Sequence, residues 1–512
     1  MIRAILVLLL SGAAATAGAA PPVATSPGPV SVAVTVYRAP GRGADEAMNL
    51  RWLNGFALVT ETRRISIPAG ESDVRFEGVA GGILPESAIV SGFPKGVVEK
   101  NQDAWLLSPA SLLDAALGRR VNLRRTSLST GAVRRTEAVV RSGAGGAVVL
   151  ETPDGIESLR CDGLPSTLVY DRVPAGLSAK PTLSVRVRSP RAVRAAVTLS
   201  YIASGFDWQA DYVARLSPDG ASMDLFAWLT LANGDETGFR QADTQAVAGR
   251  INRSAYSPQR PQAPPLVLRC WPSGTTTSDL VEQEFEKEEI VVTGSRMMMD
   301  LAMAPLPEPA PPPPPAPAMM AQQEDLGDLK LYRIPERVTV SARSQKQVAL
   351  LSRQGVKVDT VYRLDAYSPN PQGLRVIRVL STRNDSAAGL GLPLPAGRLV
   401  LFGTGSSRPL LLGRGSVDDK AVGEDLEILV GAANSVVAEA VRLVPGAGEG
   451  GEWELTVSNA QPAPVRFEAL LAEGAMKLVS ETALGRRHGR PLWAVTIPAN
   501  GRATLRYRFA GF

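Results

Sequence analysis

Residues 197–252 read VTLSYIASGFDWQADYVARLSPDGASMDLFAWLTLANGDETGFRQADTQAVAGRIN. Phe206, Trp208, Ala210, Tyr212, Ala214 and Leu216 occupy every second position, and Asp207, Gln209, Asp211, Arg215 and Ser217 fill most of the gaps. A period of two marks a strand with one buried face. Pro218-Asp219-Gly220 supplies a turn, and Met223 to Leu231 forms a second strand, apolar on both faces apart from Asp224 and Thr230. The two strands make a hairpin, and the remaining strands are arranged around it.

Upstream, Val32, Val34 and Val36 alternate as a first strand, followed by short apolar runs at Gly55–Val59, Arg63–Pro68, Asp73–Val79 and Ser87–Gly92. Gly and Pro turns separate them at the spacing of a β-sandwich over 31–100. A brief helix is expected at Ser108–Leu117, where Ser108 caps and Pro109 takes the first helical position. Strands of about five residues then follow from Gly118 to Cys161, which suits a small SH3-like barrel over 101–175. Leu183, Val185 and Val187 share one face of the strand leading to the hairpin.

From 253 to 329 the composition changes to Pro, Met and an acidic run, Glu282 to Glu289, without usable period. This reads as a disordered linker whose ends lie roughly 50 Å apart, so the hairpin can still pair with strands beyond it. A signature β domain is therefore split between 176–252 and 330–445. In the last unit, 446–512, Trp453, Leu455 and Val457, then Trp493, Val495 and Ile497, then Leu505, Tyr507 and Phe509 alternate with polar residues as in an immunoglobulin-like sandwich. The fold class is all-β throughout.

Met1-Ile2-Arg3, the apolar run Ala4–Leu10 and Ala17-Gly18-Ala19 are the three parts of a signal peptide, 1–19, followed by a disordered lead-in, 20–30. No Cys follows the apolar run, so no lipid anchor is expected, and no later stretch is apolar for long enough to span a membrane as a helix. The expected location is periplasmic or secreted, in a Gram-negative bacterium. Export would permit a disulfide between the two cysteines, Cys161 and Cys270, one after a strand and one in the linker. A formal charge of +5 over 512 residues does not imply a nucleic-acid partner.

The chain resembles bacterial proteins carrying domain of unknown function 4139, also called mucoidy-inhibitor-like. Tyr201, Trp208, Ala210, Tyr212 and Asn233 carry the likeness, with Lys346, Gln347 and Leu350, then Asn384, Gly389–Gly397 (GLGLPLPAG), Gly423-Glu424-Asp425 and the closing IPANGRATLRYRF. It covers most of residues 180–512, and the first sandwich resembles the amino-terminal domain that often accompanies it. The long coiled-coil hairpin of many relatives is replaced here by the barrel. The resemblance implies a β fold and an envelope setting, and brings no catalytic residues or cofactor.

The sole histidine, His488, lies in an Arg-rich turn, which rules out multi-histidine metal sites. Asp207 and Asp211 share a strand face, but their Cα atoms would be ~13 Å apart, too far for a glycosidase pair. A pairing of either with Asp224, or of Asp207 with Gln209, stays open beside a solvated polar face. GLGLPLPAG lacks the Lys-Ser/Thr ending of a phosphate loop and reads as a structural turn. The densest basic stretch holds Arg119, Arg120, Arg124, Arg125, Arg134, Arg135 and Arg141. On alternate strand positions several would share a face suited to an envelope protein, an anionic polysaccharide or a lipid head group. Ile290, Val291, Val292 and Thr293 form a β-branched segment able to add a strand to a partner's sheet. Met297, Met298, Met299, Met303, Met319 and Met320 cluster in the linker, where thioethers could bind Cu(I). Together these readings favour a non-enzymatic binding or assembly module, with a glycan hydrolase using a carboxylate pair as the alternative.

Overall fold

The computed structural model describes residues 21–26, 28–103, 106–249, 251, 263–265 and 320–510, apart from short gaps at 128–129, 144–147, 159–165, 175–176, 327–328, 367–373, 405–407, 446–450 and 472–476. Residues 1–19, expected to be a signal peptide, both cysteines, Ile290–Thr293 and all the clustered methionines except Met320 lie outside the described residues.

The described chain is all-β apart from one short α-helix and one 3-10 turn, and its strands form several sheets. The hairpin is present as strands Val193–Leu216 and Ser222–Asn233, joined through Pro218–Gly220. The first of these is 24 residues long and serves two cores. Its first half is flanked by Gly55–Ile67 and Ile89–Ser91, its second half by Gly397–Thr404 and Ser222–Asn233.

A bulge at Gly205 shifts the register between Ser204 and Phe206. The extra residue takes a φ of 87°, which glycine adopts without strain. Its effect is a change of parity. Val197, Leu199, Tyr201 and Ala203 point into the first core before it, and Phe206 and Trp208 do so after it. Ala210, Tyr212, Ala214 and Leu216 then continue into a second core with Leu399, Leu401 and Ile428.

The first core lies between the large sheet and a four-stranded sheet made by Val23–Ser26, Gly70–Glu77, Thr182–Ser189 and Val97–Asp103. Strands Ser31–Tyr37 and Gly55–Ile67 thus pair with the hairpin in one sheet, so 31–100 is not a separate sandwich. The lead-in also ends earlier than its composition implied, because Val23–Ser26 pairs in parallel with Asp73–Phe76 at the sheet edge. Likewise, Gln322–Leu326, assigned by composition to the linker, is an edge strand on Leu329–Arg333, a place where polar residues are tolerated.

Residues 109–169 form their own unit, with sheet order Gly155–Ser158, Val149–Thr152, Val133–Val140, Arg120–Thr126 and Ser166–Val169. Leu113 of helix Pro109–Ala115 packs on Val121, Leu123, Val140 and Leu150. Ser108 caps that helix reciprocally with Ser111, as its sequence predicts.

The terminal sandwich begins before residue 446. Its core takes Tyr362, Leu364, Val376, Val436 and Ala438 together with Trp453, Phe467, Trp493 and Tyr507. A six-stranded sheet including Asp359–Ala366 and Val465–Leu471 faces a four-stranded one that starts at Val436–Pro445. The split signature region therefore shares strands with both neighbours.

Candidate functional sites

Strands Arg120–Thr126 and Val133–Val140 pair so that Arg124 stands opposite Arg135 and Arg125 opposite Arg134. Alternation puts Arg120, Arg124 and Arg135 on the outer face, with Val121 and Leu123 on the face that carries the core. Arg125 and Arg134 fall on that core-bearing face, at the hairpin end. Glutamates partner three of the arginines: Arg120 with Glu137, Arg125 with Glu157 at 3.1 Å, and Arg141 with Glu151. Arg119, Arg124, Arg134 and Arg135 are exposed and make no ion pair among the described residues. Like charges directly opposite across a ladder repel, so this hairpin end is a concentration of unbalanced positive charge.

The polar face of the central strand is organised differently from a solvated surface. Asp207 is 1% exposed, because the loop carrying Arg42 closes over it. The carboxylate accepts from Arg42 Nε at 2.8 Å, Ala39 N at 2.9 Å and Trp208 N at 2.8 Å. Arg42 also donates to Gln209, whose amide donates to Asp211. Asp211 in turn accepts from Thr230 and from Arg398, which lies 2.8 Å away on the parallel neighbour strand. These carboxylates tie the loop of Arg42 and the strand Gly397–Thr404 to the central strand through fixed donors.

A second charge network lies on the six-stranded sheet of the terminal sandwich. Arg363 bridges Glu427 and Glu468, and Arg487, the last residue of strand Gly485–Arg487 before a two-residue turn, binds both glutamates. Burial would raise the Glu427 carboxyl, but the hydrogen bonds and charges of Arg363 and Arg487 outweigh it and pull the group down from 4.5 to about 2. The turn itself is His488-Gly489, with φ of 49° and 78°, the mirror-image geometry of tight hairpins, and it leaves His488 exposed.

The residues singled out in the sequence as carrying a resemblance make hydrogen bonds within the fold itself. Tyr201 donates to Glu61 and accepts from Ala80 N, Trp208 Nε1 donates to Val247 O at 2.9 Å, and Tyr212 donates to Pro395 O at 2.6 Å. Burial drives the phenols of both tyrosines well above their ordinary range, with the Glu61 charge adding to the rise at Tyr201. Asn384, fully buried, donates to Leu392 O and Ala421 O and accepts from Gly391 N, so it pins the GLGLPLPAG turn. Asn233 binds Asp235 N and Thr237 O, and Asn459 binds Gln461 N and Ala463 O in the same pattern. Two strands thus end in one device. Sequence reading singled out Asn233 and Asn384 but not Asn459, although LTLAN at 229–233 and LTVSN at 455–459 are alike enough to have shown it.

A polar cavity of about 360 Å³ is lined by Arg38, Arg42, Asp418 and Asp419, and within it Asp419 accepts from Ala396 N and lies 3.7 Å from Arg38. An apolar cavity of about 250 Å³ lies between Tyr332, Leu350 and Leu392–Pro395. Among the described residues no group of three His, Cys, Asp or Glu is placed to hold a metal ion, and no helix is long and apolar enough to cross a membrane. The chain matches no model of a known protein family and no curated protein.

Proposed function

We propose that this chain is an exported, non-enzymatic binding or assembly module of the cell envelope, and that its five-stranded unit holds an anionic polysaccharide. The observation that carries this reading is the register setting Arg124 against Arg135 and Arg125 against Arg134, with Arg125 alone of the four paired to a glutamate among the described residues. An ordered polyanion would supply the missing negative charge, and guanidinium forks suit its carboxylate or phosphate groups. The likeness to domain of unknown function 4139 proteins supports the envelope setting, and Ile290–Thr293 is the segment proposed to add a strand to an envelope protein. The binding reading is further supported by the central carboxylates, which are tied to arginine and backbone donors.

The test is co-sedimentation with an insoluble acidic polysaccharide at low and at high salt. The protein is expected to bind at about 0.05 M salt and to be released near 1 M, where screening shortens the reach of charge to ~3 Å. A variant with Arg124, Arg125, Arg134 and Arg135 all changed to Ser should fail to bind. Retention by that variant refutes the assignment, and turnover of the polysaccharide would refute the non-enzymatic reading.

A further inference from the structure

The polar cavity beside Arg38 has walls that the central strand fixes from behind. It opens where the parallel strands Ser31–Tyr37 and Phe239–Ala248 end side by side, Val247 being paired with Tyr37, and the Ala396 end of GLGLPLPAG supplies a further wall. Asp207 accepts from Ala39 N and Arg42, Trp208 Nε1 donates to Val247 O two residues before Gly249, and Tyr212 donates to Pro395 O next to Ala396. Three side chains of one strand thus hold three walls in place. A cavity shaped before its ligand arrives loses little entropy on binding.

The charged residues lining it are Arg38, Arg42, Asp418 and Asp419. All three nitrogens of the Arg42 guanidinium already donate, to Asp207, Gln209, Glu46 O and Trp208 O. Arg38 is different. Its side chain is only 10% exposed, yet among the described residues it donates through Nη1 alone, to Ala396 O at 3.0 Å, while Nε and Nη2 carry no hydrogen bond there and are not sealed off. Burial lowers the Arg38 guanidinium from its ordinary range, an effect that the Asp419 charge does not fully offset. Asp419 accepts from Ala396 N at 2.7 Å and lies 3.7 Å from Arg38 Nη1, so one residue, Ala396, positions both charges.

We infer that this cavity binds an α-amino acid, its carboxylate on the open donors of Arg38 and its ammonium on Asp419 and Asp418. Charge selects that occupant. With Asp207 counted beside Arg42, two arginines face three aspartates, so a simple anion meets the rim carboxylates and a simple cation meets the buried guanidinium. A zwitterion satisfies both. The 3.7 Å between Arg38 and Asp419 requires its two charges close together, as they are on a single α-carbon. The remaining carboxylate ranks L-lysine above L-glutamate. At about 360 Å³ the space lies at the small end of ligand sites and suits one amino acid. The cavity is separate from the arginine hairpin and does not depend on polysaccharide binding there.

The test titrates the full chain by calorimetry with glycine, L-alanine, L-lysine and L-glutamate. L-alanine is then compared with N-acetyl-L-alanine, which lacks the ammonium, L-alaninamide, which lacks the carboxylate, and γ-aminobutyrate, which holds the two charges apart. L-alanine and L-lysine are expected to bind, and each altered analogue to bind roughly tenfold more weakly than L-alanine. Arg38→Gln should abolish binding. Asp419→Asn, which keeps the acceptor for Ala396 N and changes a side chain that is 66% exposed, should weaken it roughly tenfold without disturbing the fold. The inference is overturned if no amino acid binds, if L-glutamate binds more tightly than L-lysine, or if N-acetyl-L-alanine or γ-aminobutyrate matches L-alanine. Loss in Arg38→Gln with none in Asp419→Asn would also overturn it, by leaving only an anion site. Retained L-lysine binding in the variant with all four hairpin arginines changed to Ser confirms that the two sites are independent.

Discussion

Glu61 and Arg63 lie two residues apart on strand Gly55–Ile67, both within the first core, with Arg63 Nε 2.7 Å from Glu61 Oε2. Both side chains are 1% exposed or less. Tyr201 donates to the free side of the carboxylate, and Arg63 reaches Glu77 O and lies over the Phe76 ring. Removing one partner strands a buried charge, so Glu61→Ala should cost about 3–5 kcal/mol, while the double change Glu61→Leu with Arg63→Met should cost far less. Urea unfolding of the two variants measures the difference, and equal losses would show that the pair is not the source of the stability.

That pair also explains where the sequence was legible and where it was not. The alternation of Phe206 to Leu216 and of Trp453 to Val457 reports burial directly, because each strand keeps one apolar face. Gly55–Ile67 alternates just as strictly, but Glu61 and Arg63 occupy two inward positions, so it read as two short runs with a polar break. Sheet membership was hidden for another reason. Whether Ser31–Tyr37 pairs with its sequence neighbours alone or also in parallel with Phe239–Ala248 depends on contacts about two hundred residues apart, which no local period encodes. The closure over Asp207 by Arg42 was hidden in the same way, since the loop 38–46 carries no pattern of its own. The density of arginines was legible, but the register sets Arg124 and Arg135 on the face opposite to Arg125 and Arg134, and neither that division nor the direct opposition within each pair could be read without it.

That opposition has a measurable cost. Because Arg124 and Arg135 repel across the ladder, changing both to Ser should stabilise the free protein by about 0.2–1 kcal/mol while weakening polyanion binding. Thermal unfolding at low salt measures the first effect, and added salt should shrink the difference between variant and parent. A variant less stable than the parent would mean that the arginines are structurally satisfied.

Glu427 makes stability depend on acid. Its carboxyl is pulled from 4.5 to about 2 in the folded protein, so the folded state holds fewer protons than the unfolded one between those values. The contribution is complete above about pH 4.5 and is lost as the pH falls through the folded value near 2. Because the side chain keeps 26% exposure, solvent screening limits it to about 1 kcal/mol. Glu427→Gln should therefore lower stability at pH 7 and flatten its decline between pH 5 and 2, as followed by denaturant midpoints. An unchanged slope would mean that Arg363 and Arg487 do not favour the ionised form.

Asn384 offers the sharpest test of the turn it pins. Its amide donates to Leu392 O and Ala421 O, its carbonyl accepts from Gly391 N, and the residue is fully buried, so Asn384→Ala leaves two acceptors and a donor without this partner. The expected loss is about 1–3 kcal/mol for each group that water does not reach. Asn384→Asp keeps the acceptor but sets a carboxylate against two carbonyl oxygens, so it should be more damaging at pH 7 than near pH 3, where the protonated group regains a donor. The turn feeds the strand Gly397–Thr404, where a Cβ on Gly397 would lie 2.0 Å from Ala210 O. Loosening it should therefore also raise hydrogen exchange along 397–403, the parallel partner of Ala210–Leu216. If exchange rises only at 389–395, the asparagine orders a surface turn and nothing more, and the second core is held by its apolar contacts alone.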